Sequence, residues 1–451
     1  MAPQAAPAPS FRHVLVLGAG LAGMRAAWAA KQAAPHLAVT LVSPRAAPCG
    51  SSFANRNNAL GMQAPRPGEA EAFIREALAL AAPGTVALEL ARALAQDAPV
   101  ALSDLLSLGL AFRRKADGAL ARYPGCFSPP RRAVVFDDLG AAHGAFLARV
   151  RGLGVRLLHG FVALQITRDA AGRATGAWLA PLRDGEPVFL RADAVVAALG
   201  GPAPLFARRI CGPGGSGLSF GLLRSAGTEL VNARFLQFFW GHAADGGFVN
   251  PGALPWSLLA PELAHHAEAR RGHCPLAYSL PDAALDRWLL ARRGADGLAP
   301  LPGGAPLALF AHAGNGGARI DADGRTAVPG LYACGECAGG MHGAQRMGGG
   351  MALSALVFGA RAGRAAALQP DQGGTALAGP PPAPAPGLDL RPERTFLPRL
   401  RRGMDRHAAP FAPQDRTRAA FIAWLRTQEE DAPSLRQRLL ALSALCVLDA
   451  Q

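Results

Sequence analysis

The sequence predicts an α/β fold with a largely parallel sheet. Short apolar runs rich in valine and leucine alternate along the chain with alanine-rich stretches of helical character, which is the pattern of β–α–β units. The runs that suit buried strands are residues 13–17, 39–42, 155–158 and 194–198. Half of the 451 residues are hydrophobic, so the chain can bury a large core and fold as two or three lobes.

The first predicted strand leads into a glycine-rich turn and then an alanine-rich helix. The turn reads Gly18-Ala19-Gly20-Leu21-Ala22-Gly23. A G-x-G-x-x-G match is informative only in this strand–turn–helix context. The first glycine permits the tight turn, the second lets the backbone approach a pyrophosphate, and the third lets helix and strand pack closely. Because the helix N-terminus then faces the phosphates, this segment predicts dinucleotide binding.

The second predicted strand ends at Ser43. Most dinucleotide-binding folds have an acidic residue at this point, where it binds the ribose hydroxyls. On spacing alone, Ser43 is therefore a departure from the general pattern.

Two later stretches contain the remaining candidate site residues. Residues 310–321 read FAHAGNGGARID and include His312, whereas residues 329–350 read PGLYACGECAGGMHGAQRMGGG and include Glu336 and Arg346. In these contexts the simpler interpretations are a structural histidine for His312 and a surface carboxylate for Glu336. The formal C-x-x-C motif at Cys334 and Cys337 lies inside the same stretch, and we do not interpret it as a redox dithiol.

These segments, in this order and spacing, resemble the flavin subunits of the fumarate reductase, succinate dehydrogenase and L-aspartate oxidase superfamily. The matching family patterns are Ala-His-x-x-x-Gly-Gly, Gly-Leu-Tyr-Ala-x-Gly-Glu and His-Gly-Ala-Asn-Arg-x-Gly. Those subunits commonly have serine where this chain has Ser43. Weaker matches in residues 191–201 and 218–238 extend the resemblance over about residues 12–365.

The resemblance implies an α/β protein with a split Rossmann-type FAD-binding domain, an inserted α+β capping domain and a C-terminal helical extension. The expected domains follow the chain in order: a disordered tail at 1–10, the first part of the FAD-binding domain at 11–232, the capping domain at 233–311, the second part at 312–368, a proline-rich linker at 369–390 and a helical region at 391–451.

The resemblance also implies FAD as the cofactor. Glu336 would face the ribityl chain, and the glycines after Arg346 would let backbone N–H groups approach the flavin ring. Ser51 stands about where membrane-complex members attach FAD to a histidine, so we expect noncovalent FAD. The expected cofactor-binding residues are Gly18, Ala19, Gly20, Leu21, Ala22, Gly23, Ser43, Ser51, Ser52, Val162, Gly200, Gly201, Gly335, Glu336, Arg346, Gly349, Gly350, Ala352 and Leu353.

The expected catalytic residues are His312 and Arg346, which match two of the four family side chains that hold and protonate a dicarboxylate. The other two are replaced, one by Phe239 and the other, in the capping domain, by Pro281. Phe239 and Trp240 could form an aromatic wall for a less polar substrate, or could equally pack in the core. The candidate proton donors in the capping domain are His265, His266, Arg270, Arg271 and His273. When the lobes close, Arg270, Arg271 or Arg287 could supply the positive charge that is missing at the replaced positions.

The implied function is hydride transfer between flavin N5 and a small anionic organic substrate, acting on a carbon–carbon bond. Two alternatives stay open. One is a degenerate flavin-binding electron-transfer subunit of a multi-chain complex, and the other is an oxidoreductase for a non-dicarboxylate substrate. An iron–sulfur or other electron-transfer subunit is a candidate partner.

Composition limits the remaining classes. The net charge of +14 comes from dispersed arginines without interleaved aromatics, so no nucleic-acid partner is expected. Seven scattered cysteines indicate reduced thiols rather than a secreted disulfide framework, and no convincing metal-ligand set is present. No apolar run reaches the ~20 residues of a membrane span and no secretory signal is visible. We therefore expect no transmembrane segment, and a location in the cytoplasm or peripheral to a membrane complex.

Overall fold

The structure is a computed structural model that describes residues 12–183, 185–370 and 394–449. The predicted tail at 1–10 and nearly all of the predicted linker at 369–390 lie outside the described residues. The strands are β1 His13–Leu17, β2 Ala38–Ser43, β3 Gly61–Gln63, β4 Tyr123–Gly125, β5 Ser128–Val135, β6 Arg156–His159, β7 Phe161–Arg168, β8 Ala174–Pro181, β9 Val188–Arg191, β10 Ala194–Ala197, β11 Leu230–Val231, β12 Leu236–His242, β13 Leu298–Leu301, β14 Gly304–Gly314, β15 Gly317–Arg319, β16 Leu331–Ala333 and β17 Ala338–Gly339. The helices are α1 Leu21–Ala33, α2 Ala70–Leu80, α3 Leu88–Ser107, α4 Leu139–Gly152, α5 Ser219–Ser225, α6 Trp256–Leu259, α7 Ala267–Arg271, α8 Ala283–Ala291, α9 Gly350–Leu368, α10 Phe396–His407, α11 Arg416–Asp431 and α12 Leu435–Asp449.

A five-stranded parallel sheet forms the centre of the larger lobe. Its strand order is β16-β10-β1-β2-β6, and each neighbouring pair is parallel. The four predicted strands are all present in it, with bounds that differ from the prediction by at most one residue at either end. Strand β16 comes from a segment more than 130 residues after β10, so this lobe is assembled from two distant parts of the chain. The α/β fold with a parallel sheet is therefore confirmed.

Helix α9 carries the second part of the chain across the larger lobe. It lies against α1, where Gly359 and Gly363 allow a close approach: a Cβ on Gly363 would lie 2.1 Å from the carbonyl oxygen of Ala26, and one on Gly359 2.7 Å from that of Ala22. By length and composition α9 could cross a membrane, but 72% of its apolar window is buried inside the protein. It is the core helix that joins the two parts of the lobe.

A smaller lobe is built around the antiparallel sheet β12-β14-β13. The short helices α6 to α8 and their connecting turns cover this sheet, and its core includes the fully buried Trp240 and the nearly fully buried Trp256. Strand β12 shifts its register between Gln237 and Phe238. Because side chains alternate across a strand, that shift decides which β12 residues face the larger lobe.

The C-terminal helices α10, α11 and α12 form the predicted helical region. Helix α12 packs on α5, where Ser443 Oγ accepts a hydrogen bond from Gly221 N–H at 2.8 Å. A Cβ on Gly221 would lie 2.2 Å from the carbonyl oxygen of Leu439. The region therefore contributes core contacts to the body of the protein.

We predict that Gly363→Ala destabilises the protein by about 1–3 kcal/mol, because the new methyl group must push α9 away from α1. Urea unfolding of the purified variant measures this change. The matched control is Gly144→Ala on the exposed face of α4, where a Cβ meets no atom within 4 Å. That change should stabilise by ~0.4–1 kcal/mol through helix propensity and unfolded-chain entropy. Equal effects of the two substitutions would contradict the close α1–α9 packing.

Candidate functional site

A single continuous cavity, about 290 Å³ in volume, lies at the carboxyl ends of β1, β2 and β10. This is the edge where ligands bind in open parallel α/β sheets. Its wall runs from the turn after β1 to His312 on β14 and Arg346 before α9. Both parts of the larger lobe and one strand of the smaller lobe thus contribute to it.

The glycine turn after β1 has the geometry that its sequence predicts. Gly18 has a φ of +115°, and a Cβ there would lie 2.2 Å from the carbonyl oxygen of Ala198. A Cβ on Gly23 would lie 1.8 Å from the carbonyl oxygen of Gly18. At Gly20 the nearest atom to such a Cβ is Ser52 Oγ at 3.5 Å, and Gly20, as the N-cap residue of α1, brings no side chain of its own to the helix end. The helix end therefore presents backbone donors to the cavity, as a phosphate group requires.

Ser43 and Ser52 occupy different roles in the cavity wall. The buried Ser43 donates from Oγ to the carbonyl oxygen of Arg45 at 2.7 Å, so its hydroxyl shapes the turn that follows β2. Ser52 Oγ accepts a hydrogen bond from Leu21 N–H at 3.3 Å. The loop containing Ser51 and Ser52 is thereby held against the first turn of α1.

Glu336 places its carboxylate beside two backbone turns. Its Oε1 accepts a hydrogen bond from Gly314 N–H at 2.9 Å, and a Cβ on Gly201 would lie 2.0 Å from the same oxygen. Burial raises the pKa of Glu336 to about 7, although backbone N–H groups and the charge of Arg346 favour the ionised form. A carboxylate held this way is a hydrogen-bond acceptor inside the cavity, and the interpretation as a surface residue is wrong.

Arg346 is buried and fixed by two amide side chains. Its Nε donates to Asn315 Oδ1 at 3.0 Å and its Nη2 donates to Gln237 Oε1. Gln237 Nε2 in turn donates to the carbonyl oxygen of Arg346 at 3.2 Å. Burial lowers the pKa of Arg346 to about 10 while the charge of Glu336 opposes this shift, so the guanidinium stays protonated at neutral pH. Neither Gln237 nor Asn315 was predicted as a site residue, although Asn315 lies in the segment 310–321 and Gln237 in the weaker match at 218–238.

His312 lines the same cavity on β14. Its ring meets that of Phe239 edge to face with centroids 4.8 Å apart. Burial first, and then the charge of Arg346, lower the pKa of His312 to about 3. The imidazole is therefore neutral between pH 5 and 8, and can donate or accept one hydrogen bond without carrying a charge.

Neither of the two predicted wall aromatics lines the cavity, although Phe239 contacts His312, which does. Phe239 contacts His312 and also packs edge to face on Phe248 at 4.6 Å. Trp240 instead lies in the core of the smaller lobe, where its Nε1 donates to Asp286 Oδ1 at 2.9 Å. The structure therefore favours the alternative of core packing for both residues, on opposite faces of β12 because successive side chains of a strand alternate.

The basic residues of the smaller lobe do not line the cavity, so the predicted proton donors and replacement cations are not supported in this conformation. Arg270 is fully buried and pairs with Asp286, and Arg271 pairs with Glu268. The other predicted residues also have contacts elsewhere. His273 is hydrogen-bonded to Asp282, Arg287 lies over the Phe411 ring, and the rings of His265 and His266 contact each other at a tilt. Pro281 is exposed.

Most of the predicted cofactor-binding residues line the cavity, and three do not. Gly23 packs against the backbone of Gly18, Leu353 is fully buried in the core, and Gly350 lies beneath Arg346 at the start of α9. The residues that do line it are Gly18, Ala19, Gly20, Leu21, Ala22, Ser43, Ser51, Ser52, Val162, Gly200, Gly201, Gly335, Glu336, Arg346, Gly349 and Ala352. His143 and His159 also line it and were not predicted.

The cavity fits a flavin dinucleotide by the chemistry of its wall. The helix N-terminus at the glycine turn suits a pyrophosphate, Glu336 offers an acceptor for sugar-like hydroxyls, and the glycines before α9 leave backbone exposed beside Arg346. No group of three or more side chains suited to a metal ion occurs in the described parts of the chain.

Comparison with known proteins also indicates an FAD-binding protein. A model of the FAD binding domain family matches residues 13–244 and 304–351. The L-aspartate oxidase of Caulobacter vibrioides is 33% identical over 447 residues, covering 90% of this chain and 84% of that protein. The fold is similar to that of the Mycobacterium smegmatis Sdh1 complex in the apo form, with a TM-score of 0.71 at 23% identity, covering 97% of this chain and 86% of that chain. It is also similar to a quinol-fumarate reductase with menaquinol molecules, with a TM-score of 0.73 at 20% identity and coverage of 97% and 90%.

We predict that the purified chain binds one FAD noncovalently, because Ser51 cannot form the histidyl bond that the resemblance places near this position. Acid precipitation should release all the flavin into the supernatant, where its absorbance is measured. Flavin fluorescence that stays with the protein band on a denaturing gel would contradict this expectation and would point to another cavity histidine, His143 or His159.

Proposed function

Because the chain belongs to the FAD-binding flavoprotein family of fumarate reductase, succinate dehydrogenase and L-aspartate oxidase, we propose that it oxidises or reduces a small organic anion bound at Arg346. The chain is an FAD-dependent oxidoreductase, as its sequence predicts. The observation that carries the proposal is the buried Arg346 guanidinium beside the neutral His312 in the cofactor cavity. Bound FAD supplies hydride transfer at flavin N5.

Arg346 is suited to bind a single carboxylate. Its planar fork pairs with a carboxylate through two parallel hydrogen bonds, and it retains its charge at neutral pH because its pKa is about 10. Gln237 and Asn315 orient the fork from the other side. The guanidinium is therefore positioned before any substrate arrives, which reduces the ordering cost of binding.

His312 orients the substrate by hydrogen bonding and does not protonate it as an imidazolium. With a pKa of about 3, it carries no proton to give in acid form near neutral pH. A neutral imidazole next to Arg346 can still donate to a carboxylate or carbonyl oxygen. The proton of the redox step must then come from water or from another group.

The substrate side of the cavity favours a monoanion with an apolar portion. In the described structure Arg346 is the arginine at this end of the cavity, and Phe239 covers His312 where the family resemblance places a second polar clamp. A second carboxylate would be desolvated there without a partner, which costs several kcal/mol. An aromatic edge instead suits an aliphatic or aromatic group on the substrate.

The same proposal includes a separate electron-transfer chain as a partner of this protein. It also includes a location in the cytoplasm or beside a membrane complex. Two of the similar solved structures are an Sdh1 complex and a quinol-fumarate reductase with menaquinol, which supports an electron-transfer partner for this chain as well. The rival function is a flavin-binding subunit that only transfers electrons, favoured by the replaced clamp position at Phe239.

Anaerobic mixing of the FAD-loaded protein with a panel of carboxylic and amino acids tests the proposal. Bleaching of the flavin absorbance by one member, or reoxidation of the dithionite-reduced flavin by another, supports a small-molecule enzyme. Flavin that responds to an iron–sulfur protein and to none of the acids supports the rival function.

We predict that Arg346→Ala lowers kcat/KM by ~10²–10⁴-fold, because a desolvated charge pair worth about 3–5 kcal/mol is lost. Arg346→Lys should recover part of the loss, since it restores the charge without the fork. Steady-state kinetics measure the effect, with Arg364→Ala on the exposed side of α9 as the control. If Arg346→Ala loses flavin and activity in equal proportion, Arg346 is a structural residue.

We predict that fumarate, succinate and L-aspartate have a kcat/KM at least ~10²-fold below that of the best monoanionic acid. Phe239→His should narrow this gap by ~10-fold or more, because a hydrogen bond to a charged group is worth about 1.5–3 kcal/mol. The control is Phe248→His on the neighbouring, more exposed ring. Efficient dicarboxylate turnover by the unmodified protein would show that a cap arginine moves in and that Phe239 does not set specificity.

A further inference from the structure

Two cysteines from different lobes meet beside the substrate end of the cavity. Cys126 lies at the turn between β4 and β5 of the larger lobe, and Cys274 lies in the smaller lobe just before Pro275, which bridges to Phe239 on β12. The Cys274 N–H donates to Cys126 Sγ at 3.4 Å, so the backbone of one cysteine lies directly against the sulfur of the other. Both residues are partly exposed.

The turn that carries Cys126 is held by contacts on both sides. The next residue, Phe127, has a φ of +60° and stacks its ring on His273 with centroids 4.1 Å apart. On the other side, Gly348 N–H donates to the carbonyl oxygen of Cys126 at 2.8 Å. The turn that carries Cys126 is therefore held between the smaller lobe and the glycine loop that follows Arg346.

The surroundings make the two thiols unequal. Hydrogen bonds from Cys274 and the nearby basic groups His273 and Arg270 lower the pKa of Cys126 to about 6, although burial opposes the shift. The pKa of Cys274 is raised by its bond to Cys126 and by burial. The N–H of Cys274 and the nearby basic groups therefore favour the thiolate form at Cys126 over that at Cys274, as an attacking and a resolving cysteine require.

The C-x-x-C pair provides the contrast within the same chain. Cys334 and Cys337 are fully buried, and burial raises the pKa of both thiols. Cys337 Sγ donates to the carbonyl oxygen of Ala197 at 3.3 Å. These two thiols are core packing residues that flank Glu336 in the turn after β16.

We propose that Cys126 is a peroxide-reactive thiolate and that Cys274 resolves it into a disulfide joining the two lobes. The Cys126 thiolate attacks one oxygen of hydrogen peroxide, which breaks the O–O bond, releases hydroxide and leaves Cys126 as a sulfenic acid. The Cys274 sulfur then attacks the Cys126 sulfur, the sulfur–oxygen bond breaks, and water leaves. In total two thiols and one hydrogen peroxide give one disulfide and two waters.

The disulfide would tie the smaller lobe to the larger one next to Phe239 and Gly348. This consequence rests on the proposed function, in which substrate reaches Arg346 between the lobes, so that a covalent link at this point should slow turnover reversibly. The proposal goes beyond the redox activity of the flavin site, and the bond can be detected without any substrate.

Peptide mapping of the FAD-loaded protein after a stoichiometric addition of hydrogen peroxide tests the chemistry. We expect a linked peptide pair containing Cys126 and Cys274, and its loss on reduction with dithiothreitol. In Cys274→Ser the sulfenic acid should persist at Cys126 and be trapped by dimedone, whereas in Cys126→Ser residue Cys274 should stay a thiol. A disulfide at Cys334–Cys337, or no linked pair, overturns the proposal.

A second readout separates a switch from an incidental bond. Flavin content and the unfolding midpoint establish that each variant is folded, and Cys446→Ser on α12 is the matched control. After peroxide treatment the rate of flavin reduction should fall at least ~10-fold in the parent and in Cys446→Ser, and dithiothreitol should restore it. In Cys274→Ser the disulfide cannot form, so the rate should not fall through disulfide formation. Equal, irreversible loss in the parent and in Cys274→Ser would show that the linkage does not control the lobes.

Discussion

The close packing of α9 on α1 is the contact on which the site depends. Helix α1 begins at the glycine turn that faces the phosphates, and α9 begins four residues after Arg346. Because Gly359 and Gly363 let the two backbones approach, the crossing sets the distance between the two ends of the cavity. Strand β16, which comes from the distant segment, pairs with β10 in the parallel sheet. It thereby places Glu336 between the two ends of the cavity.

The charge state of the site depends on the burial of its residues as much as on which residues they are. Arg346, Glu336 and His312 are all desolvated, yet they respond differently. The guanidinium stays charged because its ordinary pKa is far above neutrality, whereas the imidazole loses its proton and becomes a neutral hydrogen-bonding group. One fixed cation beside a neutral histidine and an aromatic edge therefore defines the substrate end.

The smaller lobe distinguishes this chain from the pattern that its relatives suggest. Its basic residues are engaged in contacts within the lobe, as Arg270 is with Asp286, and Phe239 takes the position beside His312. The same lobe brings Cys274 to Cys126 across 148 positions of sequence. The specificity and the oxidative control that we propose therefore both depend on the contact between the lobes.

The sequence by itself determined the cofactor turn, the parallel sheet and the family, because these depend on short motifs whose spacing is dictated by local backbone geometry. Gly18 and Gly20 line the cavity as predicted, and so do His312, Glu336 and Arg346. The tertiary structure decided that Phe239 contacts His312 while Trp240 does not, that Gln237 and Asn315 orient Arg346, and that Cys126 meets Cys274. A strand pattern does not reveal which face is buried after a register shift, and contacts between distant residues form only when the lobes pack.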